Sequence, residues 1–379
     1  MSIDTVVLKC VAPCNLACTY CYEYSAGDET WRLKPKFLAP RTARMVGLRI
    51  RELSVYRGLQ SFNVVLHGGE PLLLGIERLG TILHELRRAA GGVRLNISLQ
   101  TNATLISREF CELFVREGIA IGVSVDGGEK HSGARIDHNG HSAWTRTMGG
   151  VNLLKRCAPE RFAGVLCVVN SSYDPCEVID ELMALGAPTI DLLQPFLSHD
   201  AASTARFETA RRFGEWMIKA LQHWIRVGNS NSSRIRVFDD ALRAVCTGRP
   251  RTDWFGPRKV SYTVVDTGGA YDLLDQLKAV GAESHSIRDL GSTVQNCSLS
   301  EVESLSQDLL RRSNGDILPE GCCDCRWSAV CAAGHLPSRY SRERMFNNPS
   351  TYCEGIMAIL DECATIMETN GMTIARSQA

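Results

Sequence analysis

Over roughly its first 230 residues the chain alternates strand-like and helix-like segments six times, and nothing else in the sequence constrains the fold as strongly. Strand patterns fall at "TVVLK" (5–9), "FNVVLHGGEP" (62–71), "VRLNISLQTNA" (93–103), "IAIGVSVDGG" (119–128), "FAGVLCVVN" (162–170) and "TIDLLQP" (189–195). Helix patterns follow at 42–53, 76–90, 107–117, 143–157, 174–185 and about 201–227. Ser107 is placed as a cap, with Gly118 and Gly186 as stops. Such alternation implies a parallel sheet with crossover helices. Six units fall short of a complete eight-fold barrel. The expected fold class is therefore α/β, a partial (β/α)6 TIM-like barrel. In such folds ligands sit where strands end at their carboxyl side. The chemically distinctive residues fall at those ends, so they read as one site: Cys14, Cys18 and Cys21, then His67 to Pro71, then Gln100 to Asn102, Ser124 with Asp126, and Gln194 with Pro195.

Cysteine is the second constraint. The 379-residue chain has 16, in a composition that is otherwise ordinary, with 44% hydrophobic residues and a net charge of zero. Neither a basic arm nor a long apolar run points to nucleic acid or a membrane span. "MSIDTVVLKC" lacks the features of a signal peptide, so a cytoplasmic location is expected and metal or catalytic thiols outrank disulfides. The cysteines are uneven. Cys10, Cys14, Cys18 and Cys21 form one group and Cys322, Cys323, Cys325, Cys331 and Cys353 another. Cys111, Cys157, Cys167, Cys176 and Cys246 read as small buried hydrophobes. A polar stretch, "VGNSNSSRI" (227–235), marks a boundary. The expected domains are 1–230 (core), 231–318 (a weakly patterned bridging region) and 319–379 (cysteine-rich, with a final helix at about 352–369).

Cys14-x-x-x-Cys18-x-x-Cys21 admits two readings. With Cys10 as a fourth ligand it is a closed zinc site. With three ligands it is an iron–sulfur cubane whose fourth iron stays open. "CNLACTYCYEY" (14–24) together with "HGGEP" (67–71) resembles the radical S-adenosylmethionine (radical SAM) superfamily. The resemblance implies a [4Fe–4S] cluster on Cys14, Cys18 and Cys21 whose open iron chelates S-adenosylmethionine. It further implies Tyr20 near the adenine and Gly68, Gly69, Glu70 and Pro71 around the methionine ammonium. Gln100, Thr101, Asn102, Ser124 and Asp126 would meet the ribose and methionine parts. Arg135, in "HSGARID", would meet the carboxylate, the alternative being an ordinary surface arginine. Val168 would lie beside the adenine, although a plain buried strand explains it equally well.

"CCDCRWSAVCAAGH" (322–335) with Cys353 resembles the SPASM extension of peptide-modifying radical enzymes, which holds auxiliary clusters. The full pattern has seven cysteines. Here Cys322, Cys325, Cys331 and Cys353 remain, His335 stands where another cysteine is expected, and "YTVVDTGGAYDLLD" (262–275) contains none. One auxiliary [4Fe–4S] cluster on the quartet is implied; structural zinc is the alternative. Cys297, Cys323 and Cys363 are read as bystanders.

"LHGGEPLLLG", "LQTNATLI", "IGVSVDG", "IDLLQP", "VVDTGGAYDLLDQLKAV" and "NNPSTYC" resemble the FxsB/GrrM-type maturases of ribosomally synthesised peptides, which form cyclophanes. "CAAGH" departs from that group's triple glycine, and Gln194-Pro195-Phe196 departs as well. The resemblance implies a precursor peptide as substrate and an electron donor such as a flavodoxin or ferredoxin. Because the chain opens on its first strand, the peptide's leader is expected to dock on the barrel, on residues 236–318, or on a separate leader-recognition protein. Cross-linking also needs a proton acceptor, for which His67, Asp191 and Glu23 are the candidates by position. Competing readings are a sulfatase-maturase-like oxidation of Cys or Ser on a protein, peptide epimerisation, thioether or ether formation, and a non-catalytic zinc or iron–sulfur protein.

Overall fold

The computed structural model describes residues 3–26, 28–200, 203–228, 233–252, 254–255, 261–280 and 291–375. Along the chain run β1 (Thr5–Val11), α1 (Pro40–Arg57), β2 (Ser61–Gly68), α2 (Ile76–Ala90), β3 (Arg94–Thr101), α3 (Arg108–Glu117), β4 (Ala120–Ser124) and α4 (Trp144–Cys157). There follow β5 (Phe162–Val168), α5 (Pro175–Ala184), β6 (Thr189–Leu193), α6 (Ser203–Val227), β7 (Arg234–Ile235), α7 (Arg236–Thr247), β8 (Tyr262–Val265) and β9 (Tyr271–Asp272). The last elements are α8 (Leu299–Leu305), α9 (Gln307–Ser313), α10 (Ser328–Cys331) and α11 (Cys353–Thr369). All six expected strand–helix pairs are present. Residues 229–232, within the polar stretch read as a boundary, lie outside the described residues, as do 201 and 202.

The chain divides into two compact units. The first comprises Met1–Val125, Ser132–Gly164 and Ser261–Gln307. Its strands lie in the order β4-β3-β2-β1-β8-β9, all parallel except the β8–β9 pair. Register sets its core. Leu8 lies opposite Leu66 and Val265, and Leu66 opposite Leu99; one layer down, Val6 meets Val64, which meets Ile97. All are buried. Because side chains alternate with a period of two, this register also levels the strands' carboxyl ends. Local signals fix the helix ends. Ser107 Oγ accepts the Phe110 N–H at 3.3 Å, and Gly118 turns left-handed at φ 63°. Where α1 meets α2, a Cβ on Gly47 would stand 2.4 Å from the Leu86 carbonyl oxygen.

β8 was not legible. Four residues before an Asp-Thr-Gly-Gly turn carry too little periodicity to separate a strand from a loop. The structure nevertheless pairs β8 with β1, so part of the weakly patterned region completes the first unit's sheet.

The second unit comprises Asp126–His131, Val165–Val260 and Asp308–Ala379. In it β5, β6 and β7 are parallel neighbours. Helices α6 and α11 cross glycine on glycine: a Cβ on Gly214 would stand 2.6 Å from Gly355 Cα. The fold is thus α/β with a mostly parallel open sheet, consistent with a partial barrel. No helix among the described residues is long and apolar enough to cross a membrane.

One local conflict stands out. Ala332, Ala333 and Gly334 all lie at positive φ (45°, 67° and 72°), immediately after Cys331. Left-handed backbone suits glycine, and each alanine there costs about 1–2 kcal/mol. The departure of "CAAGH" from triple glycine therefore stores strain. Replacing Ala332→Gly and Ala333→Gly together is expected to raise stability by about 1–2 kcal/mol, read as a higher midpoint in chemical denaturation.

Candidate active site

The loop after β1 is held by backbone. Ala17 N donates to Ile136 O at 2.7 Å and Thr19 N to Ala134 O at 3.0 Å. On its other side the turn after β2 comes very close. Gly69 N donates to Val11 O at 2.9 Å, and a Cβ on Gly69 would stand 2.0 Å from Pro13 O. Gly68, at φ 146°, faces Val11 O as tightly. The two glycines therefore bring the turn against the chain's own cysteine loop.

Glu70 closes the arrangement. Only 1% exposed, it accepts from Leu72 N (3.0 Å), Thr101 Oγ1 (2.7 Å) and Asn102 N (2.8 Å). Burial pushes its pKa up, while these donors and the charge of Arg135 pull it down. A carboxylate offers about four lone-pair sites, so roughly one is left for a ligand cation. Asn102 Nδ2 donates to Asn15 Oδ1 at 2.9 Å and reaches Cys14 Sγ at 3.9 Å. Arg135 is buried at 7% exposure and donates to Tyr20 OH at 2.8 Å, which rules out the surface-arginine reading. Gln100 Nε2 donates to Ser124 Oγ at 2.9 Å. These expected cofactor residues are thus joined within the first unit. Two others, Asp126 and Val168, belong to the second, where Asp126 Oδ1 accepts the Val168 N–H at 3.1 Å.

The three thiols suit an iron–sulfur group by donor chemistry. Burial pushes Cys14 up to about 12 and raises Cys21, and charge on Cys18 raises both further. Burial thus favours the neutral thiol at Cys14 and Cys21 until a metal cation displaces the protons. The Leu16 N–H reaches Cys14 Sγ at 3.4 Å and would support a thiolate. Cys10 is fully buried on β1, and its thiol donates to Leu8 O at 3.5 Å. Among the described residues, no three His, Cys, Asp or Glu side chains gather closely enough to chelate one ion. A cubane makes no such demand, since each iron takes one protein sulfur.

In the second unit, Cys322, Cys325, Cys331 and Cys353 are mutual electrostatic neighbours. Burial pushes Cys322 up to about 11 and raises Cys331. Cys323 is exposed, and Cys297 and Cys363 are buried. His335 begins the turn at 336–339, and its carbonyl accepts from Ser338 Oγ at 2.6 Å.

Of the acid–base candidates, the structure joins two. Lys9, 3% exposed, meets Glu23 Oε2 at 3.2 Å, His67 Nδ1 at 3.2 Å and Asp275 Oδ2 at 2.5 Å. Tyr22 OH donates to the same Asp275 oxygen. Burial, then the charge of Asp275, holds Tyr22 protonated. Sequence reading missed Asp275, because its region carries no periodic signal and its partner is 266 residues away. Asp191 lies in the second unit, paired with Arg236 Nη1 at 2.5 Å. Removing one member of a buried ion pair costs about 3–5 kcal/mol. Lys9→Met is expected to lose that much, and adding Glu23→Gln with Asp275→Asn to recover part of it, read by chemical denaturation.

Comparison with known proteins agrees with this geometry. Residues 11–183 match the model of the Radical SAM superfamily. A serine-type anaerobic sulfatase-maturating enzyme of Klebsiella aerogenes is 31% identical over 225 residues, 58% of this chain. The chain spans about half the length of that relative (53%). Among solved structures, anSMEcpe with bound AdoMet superposes with a TM-score of 0.80 at 18% identity, over 97% of this chain and 98% of that one. Streptococcus suis SuiB bound to precursor peptide SuiA superposes with a TM-score of 0.56 at 12% identity, over 89% and 72%. At such identities the superpositions speak for the fold. Strand-end cysteines, the Gly-Gly-Glu-Pro turn and the matched model lead to one conclusion: the protein is an enzyme whose residues 11–183 match the radical SAM superfamily.

Proposed function

We propose that this enzyme is a peptide maturase that cross-links a ribosomally synthesised precursor, joining an aromatic ring carbon to a nearby side-chain β-carbon as a cyclophane. When bound, a [4Fe–4S] cluster and S-adenosylmethionine would supply the one-electron chemistry needed to remove a hydrogen atom from the peptide. Cys14, Cys18 and Cys21 would hold the cluster, leaving one iron for the nucleotide. Glu70 would lend its remaining lone pair to the methionine ammonium, with Arg135 toward the carboxylate. Tyr20, Gly68, Gly69, Pro71, Gln100, Thr101, Asn102 and Ser124 would line the same ligand.

After one hydrogen atom leaves the peptide and the ring is attacked, one electron and one proton remain to be removed. Glu23 or His67, in the network around Lys9, is assigned the proton, and Asp275 joins them as a candidate. Asp191, held by Arg236, takes second place. The quartet Cys322, Cys325, Cys331 and Cys353 is assigned one auxiliary [4Fe–4S] cluster as electron acceptor. The observation that carries the cross-linking reading is this single quartet: β8, β9 and the 3-10 turn at 275–280 contain no cysteine that could begin a second set. A flavodoxin or ferredoxin is the expected reductant, and a separate protein remains a candidate for leader recognition.

The second reading is oxidation of a Cys or Ser on a protein. It is favoured by relatives that are sulfatase-maturating enzymes, such as that of Klebsiella aerogenes. Both readings share the first step. Protein purified without oxygen is expected to hold about eight irons per chain, two cubanes, and Cys18→Ala about four. With reductant and S-adenosylmethionine the parent should release 5′-deoxyadenosine and the variant none. A precursor peptide from a neighbouring reading frame should lose about 2 Da per link by mass spectrometry, with the aromatic residue linked. An aldehyde on a Cys- or Ser-containing sulfatase peptide, with the precursor unchanged, would select the second reading.

A further inference from the structure

Among the described residues, Arg339 is a cation enclosed without a carboxylate partner. Its side chain is 0% exposed. Nη1 donates to Arg312 O at 2.8 Å and Nη2 to Phe346 O at 3.1 Å, while Nε has no acceptor. Among the described residues it makes no ion pair. The nearby charge of Arg312 opposes it, and Arg312 itself pairs with Asp308 at 2.8 Å. The groups that favour its charge are Cys322 and Cys331. A guanidinium keeps its charge at neutral pH.

An unpaired buried charge costs several kcal/mol. Two carbonyl acceptors offset part of that, but they carry no counter-charge, and neutral thiols carry none either. Thiolates at the neighbouring sulfurs would supply the missing counter-charge. The geometry points to Arg339 as the counter-cation of an anionic iron–sulfur cluster on Cys322, Cys325, Cys331 and Cys353, where it stabilises the reduced, more negative state. This rests on the auxiliary cluster proposed above. Net charge and nearby donors set the potential of such clusters. A fixed cation in a low-dielectric surround makes the group a better electron acceptor, which is what removal of the last electron from a cross-linked peptide requires. Arg339 is a positioning residue here, acting through the cluster and touching no substrate.

The test uses full-length protein carrying Cys14→Ala, Cys18→Ala and Cys21→Ala, so that only the quartet contributes a signal. Metal content is measured first, then the potential by a redox titration followed by electron paramagnetic resonance. Arg339→Gln is expected to lower the reduction equilibrium constant at least tenfold, which is 59 mV for one electron. Arg339→Lys, which keeps a charge, should shift it less. Should Arg339→Gln not accumulate, Arg339→His supplies the same reading: its potential should rise as pH falls through the imidazole range while the parent's does not. An iron-loaded quartet whose potential ignores both Gln and His would overturn the role of Arg339. A quartet holding zinc or no metal would overturn the auxiliary-cluster reading beneath it, and the two failures are told apart by the metal assay.

Discussion

One buried carboxylate organises the ends of three parallel strands. Glu70 sits after β2, and its oxygens take donors from its own turn and from the end of β3. The turn that carries it rests against the end of β1 through Gly69. Each such charge-assisted bond contributes about 1.5–3 kcal/mol, and an unsatisfied buried carboxylate costs more than a neutral group. Register and site are therefore specified together. A one-residue slip of β2 would turn Leu66 out of the core and also strand the Glu70 charge. The side-chain chain then continues outward, from Asn102 to Asn15 and Cys14, so the cysteine loop inherits its position from the same carboxylate.

The units handle buried charge differently. In the first, Lys9 is surrounded by Glu23, His67 and Asp275, and its charge is answered by side chains already in place. In the second, Arg339 is enclosed with two carbonyls and no carboxylate among the described residues. The first arrangement is complete without a cofactor. The second has no such answer among the described residues, and the proposed cluster would supply it. The strained alanines after Cys331 lie in this same cysteine-rich segment, where local backbone preference has given way to the fold around the quartet.

The barrel-like half was legible because its signals are local and repeated: Ser107 and Gly118 bound α3, Asp174 caps α5, and hydrophobic runs mark the strands. The cysteine loop, the Gly-Gly-Glu-Pro turn and the polar strand ends were legible as types of chemistry in a meaningful order. What lay beyond reach was non-local. β8 is too short to announce itself, and Asp275 gains its meaning only from Lys9, far away in sequence. The glycines at 68 and 69 were recognised, yet the neighbour that forbids a side chain there is the chain's own loop. Arg339 gave no signal at all, since an arginine in a polar stretch reads as surface until burial is known.

The proposed chemistry depends on one open coordination position at the cluster that Cys14, Cys18 and Cys21 would hold. The most direct test is electron-nuclear double resonance on the reduced, oxygen-free enzyme with S-adenosylmethionine labelled at its amino nitrogen. The account predicts a strong coupling between that nitrogen and the cluster, present in the parent and absent once Cys18 is replaced by alanine. A cluster with full iron content and no coupling to the labelled nitrogen, its fourth iron held instead by a protein atom, would contradict it.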